Sequence, residues 1–349
     1  MHAFLAITRA VHIGSALLLF GELVFVLFVA RPAFRAVPER PLALRSDVER
    51  GIRSIGAWSL AVSIASGVVW LVLEAPLMSG LAMREALGGG TLGVVLTQTS
   101  FGRTWMLRGC LAFALGATLL MSARSTDDAR GSRWSRAAAL VAAGYLATLA
   151  FAGHAAGGQG QERYLRIGVD MVHLLAAGAW LGALPGLVFV LRRVRSDANA
   201  ASVGVAARST RRFSALGTVA VGALLFSGVA NAWYEVRALD ALFATEYGKL
   251  LLAKLALFAA MLALAAVNRW RLSPRVAAAD RAALRSLARN AMLETTLGIA
   301  VIAIVGVLGV TIPAMHPLHH HELHSGTSRA MITSSLALEA LHGRTHQAR

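Results

Sequence analysis

The chain has 349 residues, 56% of them hydrophobic and 15% charged, with a mean hydropathy of +0.61 and a formal net charge of +16. Soluble domains carry roughly 25% charged residues, so this composition excludes an ordinary water-soluble fold. The basic balance does not point to nucleic acid, because the arginines fall between apolar runs and no groove-reading motif accompanies them.

Apolar runs occur at roughly 5–30, 54–77, 104–123, 137–153, 165–191, 213–234, 250–267 and 291–312. Crossing a bilayer takes about 20 residues of helix, so each run reads as a span, with 137–153 the shortest. The first run contains Glu22 and is followed, not preceded, by a basic cluster, which separates it from a cleavable signal peptide. Residues 81–98 are apolar but broken by Gly88, Gly89 and Gly90; they predict a re-entrant or interfacial stretch, not a ninth span. Cys110, the single cysteine, lies in the third run, so no intrachain disulfide or CxxC site is available and a small core residue is expected there.

Arginines mark alternate loops. They cluster after the first span (Arg31 to Arg53), the third (Arg124 to Arg136), the fifth (Arg192 to Arg212) and the seventh (Arg269 to Arg289). By the positive-inside rule these loops are cytoplasmic. The expectation is an all-α polytopic membrane protein of eight helices, embedded in the bacterial inner membrane, with both termini periplasmic.

The sequence also repeats itself. Val11-His12 with Ala16, Gly21 and Leu23 recurs as Val172-His173 with Ala177, Gly182 and Leu184; Ser66-Gly67-Val68 with Glu74 recurs as Ser227-Gly228-Val229 with Glu235. Phe101-Gly102-Arg103 with Arg108 recurs as Tyr247-Gly248-Lys249 with Lys254. The matches predict a four-helix half at 1–160, a second at 161–317 and a His-rich tail at 318–349. Four helices per half give both halves one orientation, the parallel kind of repeat whose sites lie where the repeats meet.

Ionisable groups inside a bilayer are costly and mark candidate functional positions. His12 and His173 lie at matching depth, roughly 10–12 Å below the outer surface at 1.5 Å per residue. Two facing imidazoles can hold a transition metal; the alternative is that each hydrogen-bonds a neighbouring helix. Asp170, three residues before His173, can orient that ring, or it can pair with Arg9, its counterpart in the first half. His154 and His316, with Met315, end the fourth and eighth spans outside and suit copper capture. His319, His320, His321 and His324 make the tail a candidate metal-binding tract. Glu22, near mid-membrane, is either a relay or a protonated group hydrogen-bonded between helices; Glu294 is either an exit group or an interfacial charge. Snorkelling accounts for Arg108 and Lys254 near their helix ends. Glu74 and Glu235 can attract cations or pair with these bases. No Walker A loop, GxSxG elbow, HExxH or CPC motif is present, so neither an ATP-driven pump nor an enzyme is expected.

The stretch Asp170-Met171-Val172-His173-Leu174-Leu175-Ala176-Ala177-Gly178-Ala179-Trp180-Leu181-Gly182 resembles the signature helix of the CopD/PcoD copper-resistance membrane proteins. Arg212-Phe213-Ser214, Tyr247-Gly248-Lys249 with Lys254, Asn268-Arg269 and Ile312-Pro313-Ala314-Met315-His316-Pro317 extend the likeness over 165–317. The resemblance implies an inner-membrane protein that moves copper ions from periplasm to cytoplasm, acting with a periplasmic CopC-like copper-binding partner. Two other readings stay open: a b-type haem electron carrier with His12 and His173 as axial ligands, and a membrane scaffold or sensor that transports nothing.

Overall fold

Each apolar run falls on a long helix, and most of these helices continue at one end into an arginine-bearing flank, where the hydrogen-bonded spiral goes on beyond the bilayer thickness. The computed structural model describes residues 2–39, 41–88, 90–125, 128–152, 160–196, 199–235 and 239–311. Among these, eight helices are long and apolar enough to cross a membrane: α1 (His2–Arg35), α2 (Leu42–Ser79), α3 (Ser100–Arg124), α4 (Ala129–Phe151), α5 (Gly160–Ser196), α6 (Ala200–Trp233), α7 (Glu246–Ala277) and α8 (Arg281–Leu308). Residues 81–98 form two short helices, Met83–Leu87 and Thr91–Gln98, and no ninth span.

The outer faces are apolar. Phe113 and Trp233 are 81% and 82% exposed, which water would penalise and lipid accepts. Cys110 is exposed on α3, not a core residue as the sequence suggested; a helix hydrophobic all round gives no periodicity from which to tell its lipid face from its packed face.

The two central helices are α1 and α5. Helix α1 packs on α2, α4, α5 and α8, and α5 packs on α1, α4, α6 and α8. Glycines let these helices approach closely. A Cβ added to Gly21 would run into the backbone of Gly178 and Gly182, and one on Gly182 into the backbone at Leu17. On the other flank of α1, a Cβ on Gly306 of α8 would lie 2.7 Å from the Ala10 side chain.

Three of the long helices are irregular. Helix α5 turns at 181–183 and restarts at Leu184, ahead of Pro185, which has no amide hydrogen to continue the ladder. Helices α1 and α7 widen into π turns at Phe25–Ala30 and Asn268–Leu272, each followed at once by a short segment with proline in its first turn. Helices α3 and α7 begin alike: Thr99 Oγ1 accepts from the Gly102 amide at 2.9 Å and Thr245 Oγ1 from the Gly248 amide at 3.0 Å. Asp280 caps α8, accepting from the Ala282 and Ala283 amides at 2.8 and 3.1 Å and from Arg275 at 2.7 Å. The Ala283 amide first, and then the Arg275 guanidinium, hold the Asp280 carboxyl below its ordinary value.

Candidate functional site

His12 is 1% exposed and lies against Gly67 of α2, where a Cβ would come within 3.0 Å of the ring. Its Nδ1 is 2.9 Å from the Ser63 carbonyl oxygen and 3.1 Å from Ser66 Oγ; its Nε2 is 2.6 Å from Arg108 Nη2. A guanidinium only donates and a carbonyl only accepts. The proton therefore sits on Nδ1, and the Nε2 lone pair is taken by Arg108.

Arg108 is itself 3% exposed. Besides His12 it donates to the Tyr145 carbonyl at 2.7 Å and to Thr148 Oγ1 at 2.6 Å, and it lies 4.2 Å from the centre of the Tyr145 ring. The snorkelling expected of Arg108 is thus corrected: its charge is held inside the first four helices by acceptors and an aromatic face. Trp70 and Trp105 close the nest around His12, with ring centroids 5.5 and 5.9 Å away.

His173 is held differently. Its Nδ1 is 3.0 Å from Ser227 Oγ, whose own hydrogen goes to the Ala223 carbonyl at 2.6 Å. Ser227 therefore accepts, Nδ1 carries the proton, and the Nε2 lone pair has no partner among the described residues. This is the tautomer in which a histidine binds a metal while a neighbour fixes its ring. Lys254 acts on the ring electrostatically from α7, the place Arg108 holds in α3. In both cases the histidine and its serine are 54 residues apart.

The rings do not share a partner: His12 bonds to α2 and α3, His173 to α6. The expected ligand role of His12 meets a physical obstacle, since Arg108 occupies the lone pair a metal or a haem iron would need. The Arg9–Asp170 pair is not formed. Arg9 lies 4.4 Å over the Trp70 ring within the field of Glu74, whose Oε2 accepts from Trp70 Nε1 at 3.0 Å. Asp170 accepts from Asn231 Nδ2 at 3.4 Å, one helical turn from His173.

Glu22 is 1% exposed on α1 and faces the break in α5; a Cβ on Gly186 would lie 2.6 Å from its Oε2. Neither carboxyl oxygen makes a hydrogen bond. Glu294 is 2% exposed on α8; its Oε1 accepts from Asn268 Nδ2, and Asn268 Oδ1 accepts from Asn290 Nδ2 at 2.9 Å. His154, Met315, His316, His319, His320, His321 and His324, and the side chain of Glu235, lie outside the described residues. No three His, Cys, Asp or Glu side chains converge among the described residues. Arg108 is the residue whose role sequence reasoning missed. Its available signal was the company of Trp105 one turn earlier and of the recurrent Lys254.

Eight apolar helices enclosing buried ionisable side chains define a multi-pass membrane protein. The comparisons specify which kind. Residues 1–164 match the family described as copper resistance protein D-like, N-terminal domain, and residues 207–308 match copper resistance protein D. Copper resistance protein D of Pseudomonas syringae pv. tomato is 30% identical over 309 residues, 86% of this chain and 93% of that protein. Copper transport protein CutJ of Bacillus subtilis (strain 168) is 32% identical over 213 residues, 60% of this chain and 38% of that protein. Inner membrane protein YebZ of Escherichia coli (strain K12) is 25% identical over 305 residues, 87% of this chain and 97% of that protein. No solved structure matches. The chain belongs to the copper resistance protein D family.

Proposed function

We propose that this protein is a copper permease of the bacterial inner membrane, importing copper from the periplasm, with His173 as its intramembrane ligand. The observation that carries the reading is the fixed tautomer of His173: Ser227 holds Nδ1–H and leaves Nε2 for a metal, in a chain of a copper-resistance family. Asp170, one turn away and held by Asn231, supplies a negative charge toward which a cation moves. Copper is the cargo. His154, His316 and Met315, with tail residues His319, His320, His321 and His324, gather it outside, where a CopC-like periplasmic protein delivers it. Glu74 and Glu235 add negative charge at the same end.

The proposal includes a parallel repeat of two four-helix halves, 1–160 and 161–317. The equal His–Ser separations and the twin threonine caps of α3 and α7 support it. In this reading the halves have diverged: the second keeps an available imidazole, and the first has turned its imidazole into an acceptor for Arg108. The reading has the arginine-rich loops on the cytoplasmic side, which the positive-inside rule supports.

Radioactive copper uptake by proteoliposomes tests the reading. His173→Ala is expected to abolish uptake while the protein keeps its unfolding temperature. Wild-type uptake in that variant, or none in the wild-type protein, rejects it.

A further inference from the structure

A cavity of about 560 Å³ opens between α5, α6, α7 and α8 at the arginine-rich end. Its walls are mainly apolar, with Trp180, Leu187 and Phe213 among them, and its mouth carries the exposed Arg269 and Trp270. Glu294 reaches this cavity from α8, and Asn268 reaches it from the π turn of α7. A mid-helix π turn often marks a functional position. Here it lies where Asn268 is fixed from both ends, accepting from Asn290 and donating to Glu294.

The donor set decides what can bind. No sulfur or imidazole lines the cavity, so a soft metal ion finds none of its preferred ligands. A hard cation such as Ca²⁺ needs six or more oxygens. The hydroxyls of Ser214 and Thr218 already accept from Arg269 Nη1, at 2.9 and 2.7 Å, and that guanidinium repels cations. The walls from α5 and α6 bring no other charged or titratable side chain, and from α7 only Arg269 does so. One carboxyl remains, with one amide donor positioned on it. Among cations, that arrangement suits a single proton.

We propose that Glu294 is a proton-exchange site, loaded and unloaded through this cavity from the cytoplasmic end, and that proton movement there is coupled to copper movement. The coupling rests on the permease reading above; the proton site does not. In the step, the O–H bond of the protonated carboxyl breaks, the proton passes to water in the cavity, and the carboxylate keeps the Asn268 Nδ2–H bond on Oε1. The reverse step reloads it. Glu22 is the contrasting case, a buried carboxyl that faces Gly186 and does not line this cavity.

Two measurements on the full-length protein test this. Infrared difference spectra between acid and alkaline pH should contain a carboxylic C=O band that is lost in Glu294→Gln and retained in Glu22→Gln. Retention of the whole band in Glu294→Gln overturns the proton site. In vesicles loaded with a pH-sensitive dye, adding copper ions should change the internal pH with wild-type protein. In Glu294→Gln that change should be lost while downhill copper exchange persists. An unchanged pH signal in the variant overturns the coupling. Absence of copper flux in the wild type rejects the permease reading, and the infrared result still decides the proton site. The glutamine is isosteric and can accept from Asn268, so the fold is retained. Asn268→Leu provides a second check: it should move the pH at which the band titrates, and an unmoved band counts against the site.

Discussion

At the scale of single residues, two histidines at corresponding sequence positions differ at one nitrogen, Nε2. Both donate from Nδ1, but Nε2 of His12 accepts from a buried guanidinium while Nε2 of His173 stays available. Removing each ring therefore has a different cost. His12→Ala deprives a buried charge of an acceptor, worth about 1.5–3 kcal/mol. His173→Ala leaves Ser227 still bonded to the Ala223 carbonyl, so the lost hydrogen bond costs only about 0.5–1.5 kcal/mol. Thermal unfolding in detergent should show a lower midpoint for His12→Ala and a nearly unchanged one for His173→Ala; the reverse order contradicts the hydrogen-bond assignment. The sequence made both histidines visible because they recur at one offset. It did not distinguish them, because the difference lies in Arg108, and an arginine near a helix end reads as snorkelling unless the fold closes over it.

At the scale of elements, the apolar runs locate the spans but not their ends. Helix α2 runs for 38 residues, about 57 Å at 1.5 Å per residue, where the apolar run covered only 54–77. Hydropathy registers the part in lipid; the polar extension is held by ordinary helix propensity, which the run does not report. The break in α5 also escaped, although Pro185 stood inside the run as its signal. Packing at that break is tight enough to test. Gly186→Ala would place a methyl 2.6 Å from Glu22 Oε2 and 2.7 Å from the Phe25 ring, and overpacking of this kind costs about 1–3 kcal/mol. A reduced unfolding temperature in Gly186→Ala, relieved in part by Glu22→Ala, is the expected pattern.

The Asp280 cap gives a pH prediction of the same scale. Its carboxyl titrates lower folded than unfolded, so its contribution is complete above the unfolded value, near 3.9. The contribution is lost as pH falls through the folded value. The stability difference between wild type and Asp280→Ala should therefore be constant at neutral pH and shrink only in acid below that unfolded value. A difference that persists at the lowest pH argues against the cap.

At the scale of the whole molecule, orientation connects the two sites. If the arginine-rich loops are cytoplasmic, His173 lies toward the periplasm and the Glu294 cavity toward the cytoplasm. In a Cys110→Ser background, single cysteines placed in the arginine-rich loops should react with a membrane-impermeant maleimide only after the cells are opened. Labelling of intact cells would invert the direction proposed for copper. Composition and loop charge made the eight-helix architecture legible from the sequence, since the bilayer imposes both. The polar cluster of Asn268, Asn290 and Glu294 was not legible as a unit, because its members come from two helices and meet only when those helices pack.

The glycine seam restricts how such a molecule can move. Where α1 rests on the backbone of α5, and on α8 at Gly306, there is no layer of side chains to slide or re-sort, so the core of the bundle acts as a fixed axle. Gly182, in the turn at 181–183, belongs to that seam, so the stretch of α5 that bears His173 and the one that faces Glu22 are pinned to α1 where they meet.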